Sequence, residues 1–580
     1  MTVGTLLALD LVIAVIASAG WLGAGAAAAG GHRRTALGAA TAALAATLAR
    51  AATTIALAGA GWWFAAEKVM LAAPLALASV VVVMPRLVRP PGDIRRATLA
   101  LLFAGYAQSS ALLVTVLHGY PLSAGVVLLA VAGVAAATLV TWRLTGARPA
   151  PAISRAAGVV TLAAVTAGFG LMVDADASVP VHDHSDLAAP TAGDPTRRFT
   201  LTAGTAVVKT EGRDVEAWAF NGQVPGPALT ATVGDVIEVT LHNRDIARGV
   251  TLHWHGYDVP NSQDGVPGVT QDVVLPGARF VYRFRADQTG TYWYHTHAVS
   301  DVGVRMGLYG TLVVAPARPV PGVDVVVPVH TLNGRLLPEP VVQPVGTERR
   351  PVRLRLINTD SVTHRFALAG TAFQVAAIDG TDLRGPPSVA ETAVLIPAGG
   401  RYDLTFTASG AAVGLFVDGR IVWSTGPVTA ETGGWPVLDP LSYGTLGPAP
   451  WARFDREFTL VLDRGLDLHG LLPRYAHTVN GAAGPGIADQ SVRYGEIVKL
   501  TIVNRSLVVH PWHLHGHHVR VLRRDGQEAR GSPLWLDSFD VLPGQVWEVA
   551  FRADNPGMWA NHCHNLPHAE QGMTLHLRYG

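Results

Sequence analysis

Cysteine is almost absent: the chain of 580 residues has one, Cys563. A single thiol cannot close an intrachain disulfide, so pairing says nothing of redox compartment, and metal binding or catalysis is its natural use. Charge is scarce as well. Asp, Glu, Lys and Arg make up 15% of the residues, the net charge is +1, and no basic stripe interleaved with aromatics occurs, which excludes a nucleic-acid footprint. Methionine is limited to 7 residues with no Met-rich segment, and the apolar N-terminal region offers a metal path only Met70, Met84 and Met172. Apolar residues are abundant instead, at 49%, and the mean hydropathy of +0.29 is high for a purely soluble protein. The length exceeds one domain, and a membrane part is expected.

Apolar runs near 5–29, 36–61, 69–84, 98–118, 122–142 and 156–173 predict an all-α membrane bundle of about six helices over 1–175. Arg33 and Arg34, then Arg86, Arg89, Arg95 and Arg96, then Arg143, Arg148 and Arg155 fall in the odd connectors; the second holds only a compensated Glu67-Lys68 and the fourth has no Lys or Arg. The positive-inside rule makes the odd connectors cytoplasmic and puts the N-terminus and everything after the bundle outside. Trp62 and Trp63 suit an outer interface belt. The first span lacks a basic n-region, so a signal peptide is the weaker reading of it. Asp10 and Arg50 lie inside neighbouring spans and are expected to pair, because an intramembrane charge needs a partner. Only His32 and His118 occur here, too few for haem held by paired histidines. Residues 176–196 form a solvated linker containing His182-Asp-His184.

Beyond the linker the texture changes to short alternating strands with Gly, Pro, Asn and Asp turns, the pattern of β-sandwiches. Three copies of one pattern follow each other. Asn221-Gly leads to a strand ending at Asn243, Asn333-Gly to one ending at Asn358, and Asn480-Gly to one ending at Asn504. Phe284-Arg-Ala-Asp-Gln-Thr-Gly precedes His295-Thr-His297, and Phe551-Arg-Ala-Asp-Asn-Pro-Gly precedes His562-Cys563-His564, whereas the middle copy reads Phe416-Val-Asp-Gly. Domains at 197–316, 317–448 and 449–580 are expected, the middle one without metal ligands.

The histidines fall in clusters: His253-Trp-His255-Gly, His295-Thr-His297, His510-Pro-Trp-His513-Leu-His515-Gly, and His562-Cys563-His564 with His568 and Met573. Spacing of two puts both rings of a pair on one strand face and Cys563 on the other. Cys563 with His510, His568 and an axial Met573 is a blue-copper ligand set. Thr296 stands where the last copy has Cys563, so only one such site can form. Eight histidines remain, four from each end domain, and a site drawing on both must lie at their interface.

These clusters resemble the copper motifs of multicopper oxidases, the family of laccases, ferroxidases and cuprous oxidases, over roughly 196–580. The resemblance implies three cupredoxin-like Greek-key β-sandwich domains and four coppers. By it, His253 and His513 hold a type 2 copper, His255, His295 and His564 one type 3 copper, and His297, His515 and His562 the other. It also implies four one-electron oxidations coupled to reduction of dioxygen to water, with electrons entering at the edge of His568. Asp264, nine residues beyond His255, matches an acidic position assigned to proton supply. Glu570 is expected to tune His568 by a contact behind it. His517 is read as a core or hydrogen-bonding residue, and His330, His364, His469, His477 and His576 as structural. The reductant stays open between phenols or aromatic amines and Cu(I), Mn(II) or Fe(II). The rivals are a copper nitrite reductase, which would lack the paired type 3 histidines, and a copper carrier or resistance protein without turnover. The expectation is a multi-pass membrane protein with its copper domains on the extracytoplasmic side.

Overall fold

A computed structural model describes residues 1–88, 94–145, 193–318, 320–345, 349–467 and 473–580. Its N-terminal part is helical: α1 (Val3–Ala29), α2 (Arg33–Ala60), α3 (Trp62–Glu67), α4 (Ala73–Leu87), α5 (Thr98–Leu117) and α6 (Ala124–Leu144). Runs of Ala and Leu favour helix, and the side chains of Thr2 and Ser123 cap α1 and α6 by accepting from Thr5 N and Val126 N. One π turn, Lys68–Ala72, joins α3 to α4, so five stretches among the described residues are long and apolar enough to cross a membrane. The expected span at 156–173, and the linker with His182 and His184, lie outside the described residues. Small residues let the helices close up: a Cβ on Gly20 would come within 2.9 Å of Ala43 on α2.

Asp10 and Arg50 do meet, at 3.7 Å. Thr53 donates to the same carboxylate at 2.7 Å, and Lys68 lies 4.0 Å from it. Glu67 and Lys68 depart from expectation. They are not in a connector but inside the α3–α4 stretch, 1% and 2% exposed. The connector shrinks to Gly61, and the Glu67 carboxylate is neutralised from far away in sequence, by both terminal nitrogens of Arg505 at 2.9 Å.

The remainder is all β, in three two-sheet units. In each unit one sheet repeats the same order. Arg213–Phe220, Arg197–Thr210, Val236–Asn243 and Arg279–Arg285 are neighbours in the first. Arg335–Leu337, Val323–Leu332, Pro351–Asn358 and Arg401–Thr407 follow suit in the second, and Arg474–Val479, Arg456–Asp467, Ile497–Asn504 and Val546–Arg552 in the third. The second and third members of each series run parallel. The recurrent asparagine has a physical role: Asn243, Asn358 and Asn504 are buried, and their side chains donate to Val274 O, Ile396 O and Val541 O at 2.7–2.9 Å, satisfying carbonyls that burial would otherwise leave unpaired. The third unit carries the bundle. Val3 and Gly4 touch Gly544, Tyr120 and Pro121 touch Gly481, and Tyr475 Oη donates to Val116 O at 3.0 Å. The turn at Gly31, beside Arg95, lies at the far end of α1.

Two outcomes follow from the buried charges. Asp10→Ala and Arg50→Ala should each destabilise the helical part by about 3 to 5 kcal/mol, because each strands the partner charge; unchanged thermal unfolding of both in detergent would contradict the pairing. In the middle unit His364 sits between Asp360 (2.8 Å) and Asp418 (2.6 Å). Burial alone would lower its pKa, but the two carboxylates outweigh it and raise it to about 9. A raised folded value means stabilisation fully present below the unfolded pKa of about 6.5 and lost as pH rises through about 9. His364→Asn should flatten that part of a melting-temperature profile; a profile parallel to wild type would count against it.

Candidate metal centre

The four His-x-His pairs are brought together by two strand pairings. His253–His255 runs antiparallel to Gly290–His295, with His253 opposite His295. In the third unit His510–Leu514 runs antiparallel to Met558–Cys563, with His513 opposite His562. The two pairs face each other across the interface of the first and third units. His253 stacks on His515 with ring centroids 3.8 Å apart and His255 on His513 at 3.9 Å. His297 meets His562 at 5.4 Å, and His295 meets His564 at 5.7 Å.

The rings are held from behind. Carbonyl oxygens of Asp264, Thr296, Asp537 and Cys563 accept from the Nδ1 atoms of His253, His295, His513 and His562 at 2.8–3.0 Å. A carbonyl can only accept, so Nδ1 carries the proton and the Nε2 lone pair points inward. The Nε2 atoms of His253, His295, His297 and His513, Nδ1 of His255 and both nitrogens of His564 are buried without a hydrogen-bond partner. Buried polar atoms are ordinarily satisfied, and a cluster of orphaned imidazole lone pairs fits borderline metals such as copper. Burial, reinforced by neighbouring imidazoles, pushes the pKa values of His255, His295, His297, His513, His515 and His564 well below the ordinary imidazole value. Neutral rings are the form that ligates a metal.

Two carboxylates stand behind these rings. Asp264, 1% exposed, accepts from His253 Nδ1 at 3.1 Å and from His515 Nδ1 at 2.9 Å, so one side chain fixes a ring from each unit. Asp537 escaped the sequence reading. It lies 3.3 Å from His255 Nε2 and 3.6 Å from His513 Nδ1, and both guanidinium nitrogens of Arg401 reach it at 2.6 Å. Burial would raise its pKa, but Arg401 and the histidines hold it well below the usual carboxylate range. Burial and the Asp537 charge push the adjoining Asp379 up to about 7. Arg401 and Asp379 belong to the middle unit, so a unit without ligands still braces the cluster. Gly399, at φ +83°, is part of that brace, since a Cβ there would sit 2.6 Å from His255.

The expected blue-copper set lies on the other face of the strand. Cys563 Sγ is 3.6 Å from His510 Nδ1 and 3.7 Å from His568 Nδ1, and those two nitrogens are 3.3 Å apart. Met573 is fully buried, and its carbonyl accepts from Cys563 N at 3.1 Å. Burial pushes the Cys563 thiol pKa up, so a bound metal would be what holds it as thiolate. Three histidine readings meet the structure here. His477 is not an isolated structural residue: it stacks on His568 at 3.8 Å, with its Nδ1 unpartnered. A signal existed, since His330-Thr-Leu-Asn333-Gly and His477-Thr-Val-Asn480-Gly occupy the same place in two copies. His517 is a hydrogen-bonding residue, 2.6 Å from Tyr579 Oη. His469 lies outside the described residues. Glu570 is corrected: it is exposed, and its carboxylate accepts from Asp301 N at 3.0 Å. It pins the short helix Leu566–Glu570 to Ser300–Arg305 across the seam, instead of reaching His568, because its position after His568 turns it outward.

Family descriptions named multicopper oxidase match residues 202–319 and 465–580. The multicopper oxidase MmcO of Mycobacterium tuberculosis is 29% identical over 68% of this chain and 90% of its own length. Laccase-1 of Botryotinia fuckeliana is 28% identical over 66% and 82%. The solved structure of Fet3p, titled a multicopper oxidase that functions in iron import, superposes with a TM-score of 0.58 at 20% identity, over 66% of this chain and 90% of that one, a likeness of fold.

Asp264→Ala should release His515, leave His253 held by the backbone carbonyl of residue 264 alone, and weaken copper binding at the interface by about 10- to 100-fold. Competitive copper titration of the purified variant checks this, and unaltered affinity would contradict the bracing role.

Proposed function

We propose, from the premise that this chain belongs to the multicopper oxidase family and is an oxidase, that it is a membrane-anchored enzyme coupling four one-electron substrate oxidations to reduction of dioxygen to two waters. The observation that carries this reading is the set of orphaned, buried imidazole nitrogens at the interface, four from the first β unit and three from the third. His253 and His513 would hold a type 2 copper; His255, His295 and His564 one type 3 copper; His297, His515 and His562 the other; Cys563, His510, His568 and Met573 the type 1 copper. When bound, these coppers supply one-electron storage and a dioxygen-binding cluster.

The chain's own contribution is placement. Cys563 lies between His562 and His564 in one strand end, which supports a short covalent route between the two centres. The carbonyls and carboxylates behind the rings fix tautomers before any metal arrives. Asp264, in contact with a ring from each unit, is suited to hold and pass protons, of which four are consumed per dioxygen. Domain boundaries near 197, 317 and 449 agree with the repeat of sheet order. The arginine-poor end of the bundle bears the β units, which supports an extracytoplasmic location for them.

For the reductant, a phenol or aromatic amine is one reading and a metal ion the other. A specific observation favours the metal ion: a cleft of about 920 Å³ that includes Pro567, the neighbour of His568, carries Asp214, Glu216 and Asp301 against one cation, Arg305, which pairs with Asp301. Such a mouth attracts cations.

Oxygen uptake by the copper-loaded protein with a soluble phenol, and with Fe(II), Mn(II) and Cu(I), tests the function. Cys563→Ser should lose the blue thiolate band and bring uptake to background; uptake that survives this change would contradict the electron route, and a wild type without uptake would leave a copper carrier.

A further inference from the structure

The bundle is joined to the third β unit by more than apolar contact. Asp10, Arg50, Glu67 and Lys68 of the bundle and Asp463 and Arg505 of the β unit are all largely buried at the junction. Arg505 contacts Glu67 at 2.9 Å and Asp463 at 2.8 Å. Three acids and three bases cancel, yet burying them costs several kcal/mol per ion, far more than an anchor requires. Beside this network lies a cavity of about 160 Å³, room for a single ring rather than a drug-sized ligand.

The position of the cavity points to a use. Its β wall includes Ser506, whose hydroxyl lies 2.9 Å from His510 Nε2. Arg464 and Tyr475, also in that wall, flank His477 in the hairpin that stacks on His568. The opposite wall is made by Leu11 and Val116, half-buried residues of α1 and α5. Leu507, 47% exposed, stands at the rim. The rim is apolar, and its helical side belongs to two of the stretches long and apolar enough to cross a membrane. Inside, Asp10 is 1% exposed and its Oδ2 has no hydrogen-bond partner, and Arg464 Nε has none either. A carboxylate oxygen met only by Lys68 at 4.0 Å and an arginine donor without a hydrogen-bond partner, both in a ring-sized space, suit a molecule that is apolar outside and carries oxygens on a ring.

We propose that this junction binds the head group of a lipid-dissolved hydroquinone, so that the enzyme takes electrons from the membrane side. The inference rests on the oxidase reading above for its oxidant. Each hydroquinone gives up two electrons and two hydroxyl protons and becomes the quinone. Asp10 Oδ2 is the first proton acceptor, Arg464 Nε donates to the ring oxygen opposite, and the protons leave to the aqueous side. Two hydroquinones and one dioxygen yield two quinones and two waters. The aqueous acidic cleft beside Pro567 is a separate mouth, and its cations are excluded from the junction by the apolar rim.

The test uses the full chain in lipid nanodiscs with a decyl-substituted benzoquinone as probe. Copper-free protein should bind it at one saturable site above the partition into empty nanodiscs. Leu11→Trp and, from the other helix, Val116→Trp should each weaken that binding at least tenfold, and the blue band of the copper-loaded variants reports that they fold. In the loaded wild type the reduced probe should drive oxygen uptake. Absence of saturable binding, or unchanged affinity in both tryptophan variants, overturns the site even where a soluble phenol is oxidised. Failure of the oxidase reading looks different: neither donor drives uptake in the loaded wild type, while the copper-free protein still binds the quinone.

Discussion

Everything in the β part depends on keeping eight imidazoles pointed at one another while seven of their buried nitrogens have no hydrogen-bond partner. Buried nitrogen atoms without partners cost free energy, so the apposition must be imposed from outside. The fold imposes it by fixing most of the rings from behind. Backbone carbonyls hold four of them, and Asp264 ties a ring of the first unit to a ring of the third. A metal then recovers the unsatisfied lone pairs, which couples assembly of the two units to metal binding.

The middle unit and the bundle both act on that arrangement from a distance. Arg401 reaches from the middle unit to Asp537 of the third, behind His255 of the first, so three segments far apart in the chain meet at one carboxylate. Removing Arg401 would leave the buried Asp537 carboxylate without its cation. On the opposite side the bundle meets the third unit through Glu67 and Arg505, next to the loop that carries Ser506 and His510. The helices therefore meet the β part on the side that holds His510, through buried ion pairs as well as apolar contact.

Much of this was legible in the amino-acid order, for reasons that are local. Spacing of two assigns His562 and His564 to one face and Cys563 to the other, and the structure places the two rings among the interface imidazoles and the thiol beside His510 and His568. The repeated strand ending in asparagine announced three copies of one unit because Asn243, Asn358 and Asn504 do the same hydrogen-bonding work. An ion pair between Asp10 and Arg50 followed from the cost of a lone charge in an apolar span. What escaped was non-local. Nothing near Asp537 marks it, since its partners come from three units. Glu67-Lys68 read as a connector because the partners that hold them inside, Arg505 for Glu67 and Asp10 for Lys68, lie far away in sequence. Glu570 failed for geometric reasons, as a short helix after His568 aims it across the seam. His477 alone had a readable signal, the His-Thr-x-Asn-Gly shared with the middle copy.

The central claim is that the first and third β units jointly enclose a group of coppers, wired by one sulfur to another. Anomalous scattering at the copper edge from crystals of the copper-loaded protein tests it most directly. The account predicts three peaks enclosed by the eight histidines of the interface and a fourth between Cys563, His510 and His568. A lone peak at Cys563 with none among those rings would contradict it.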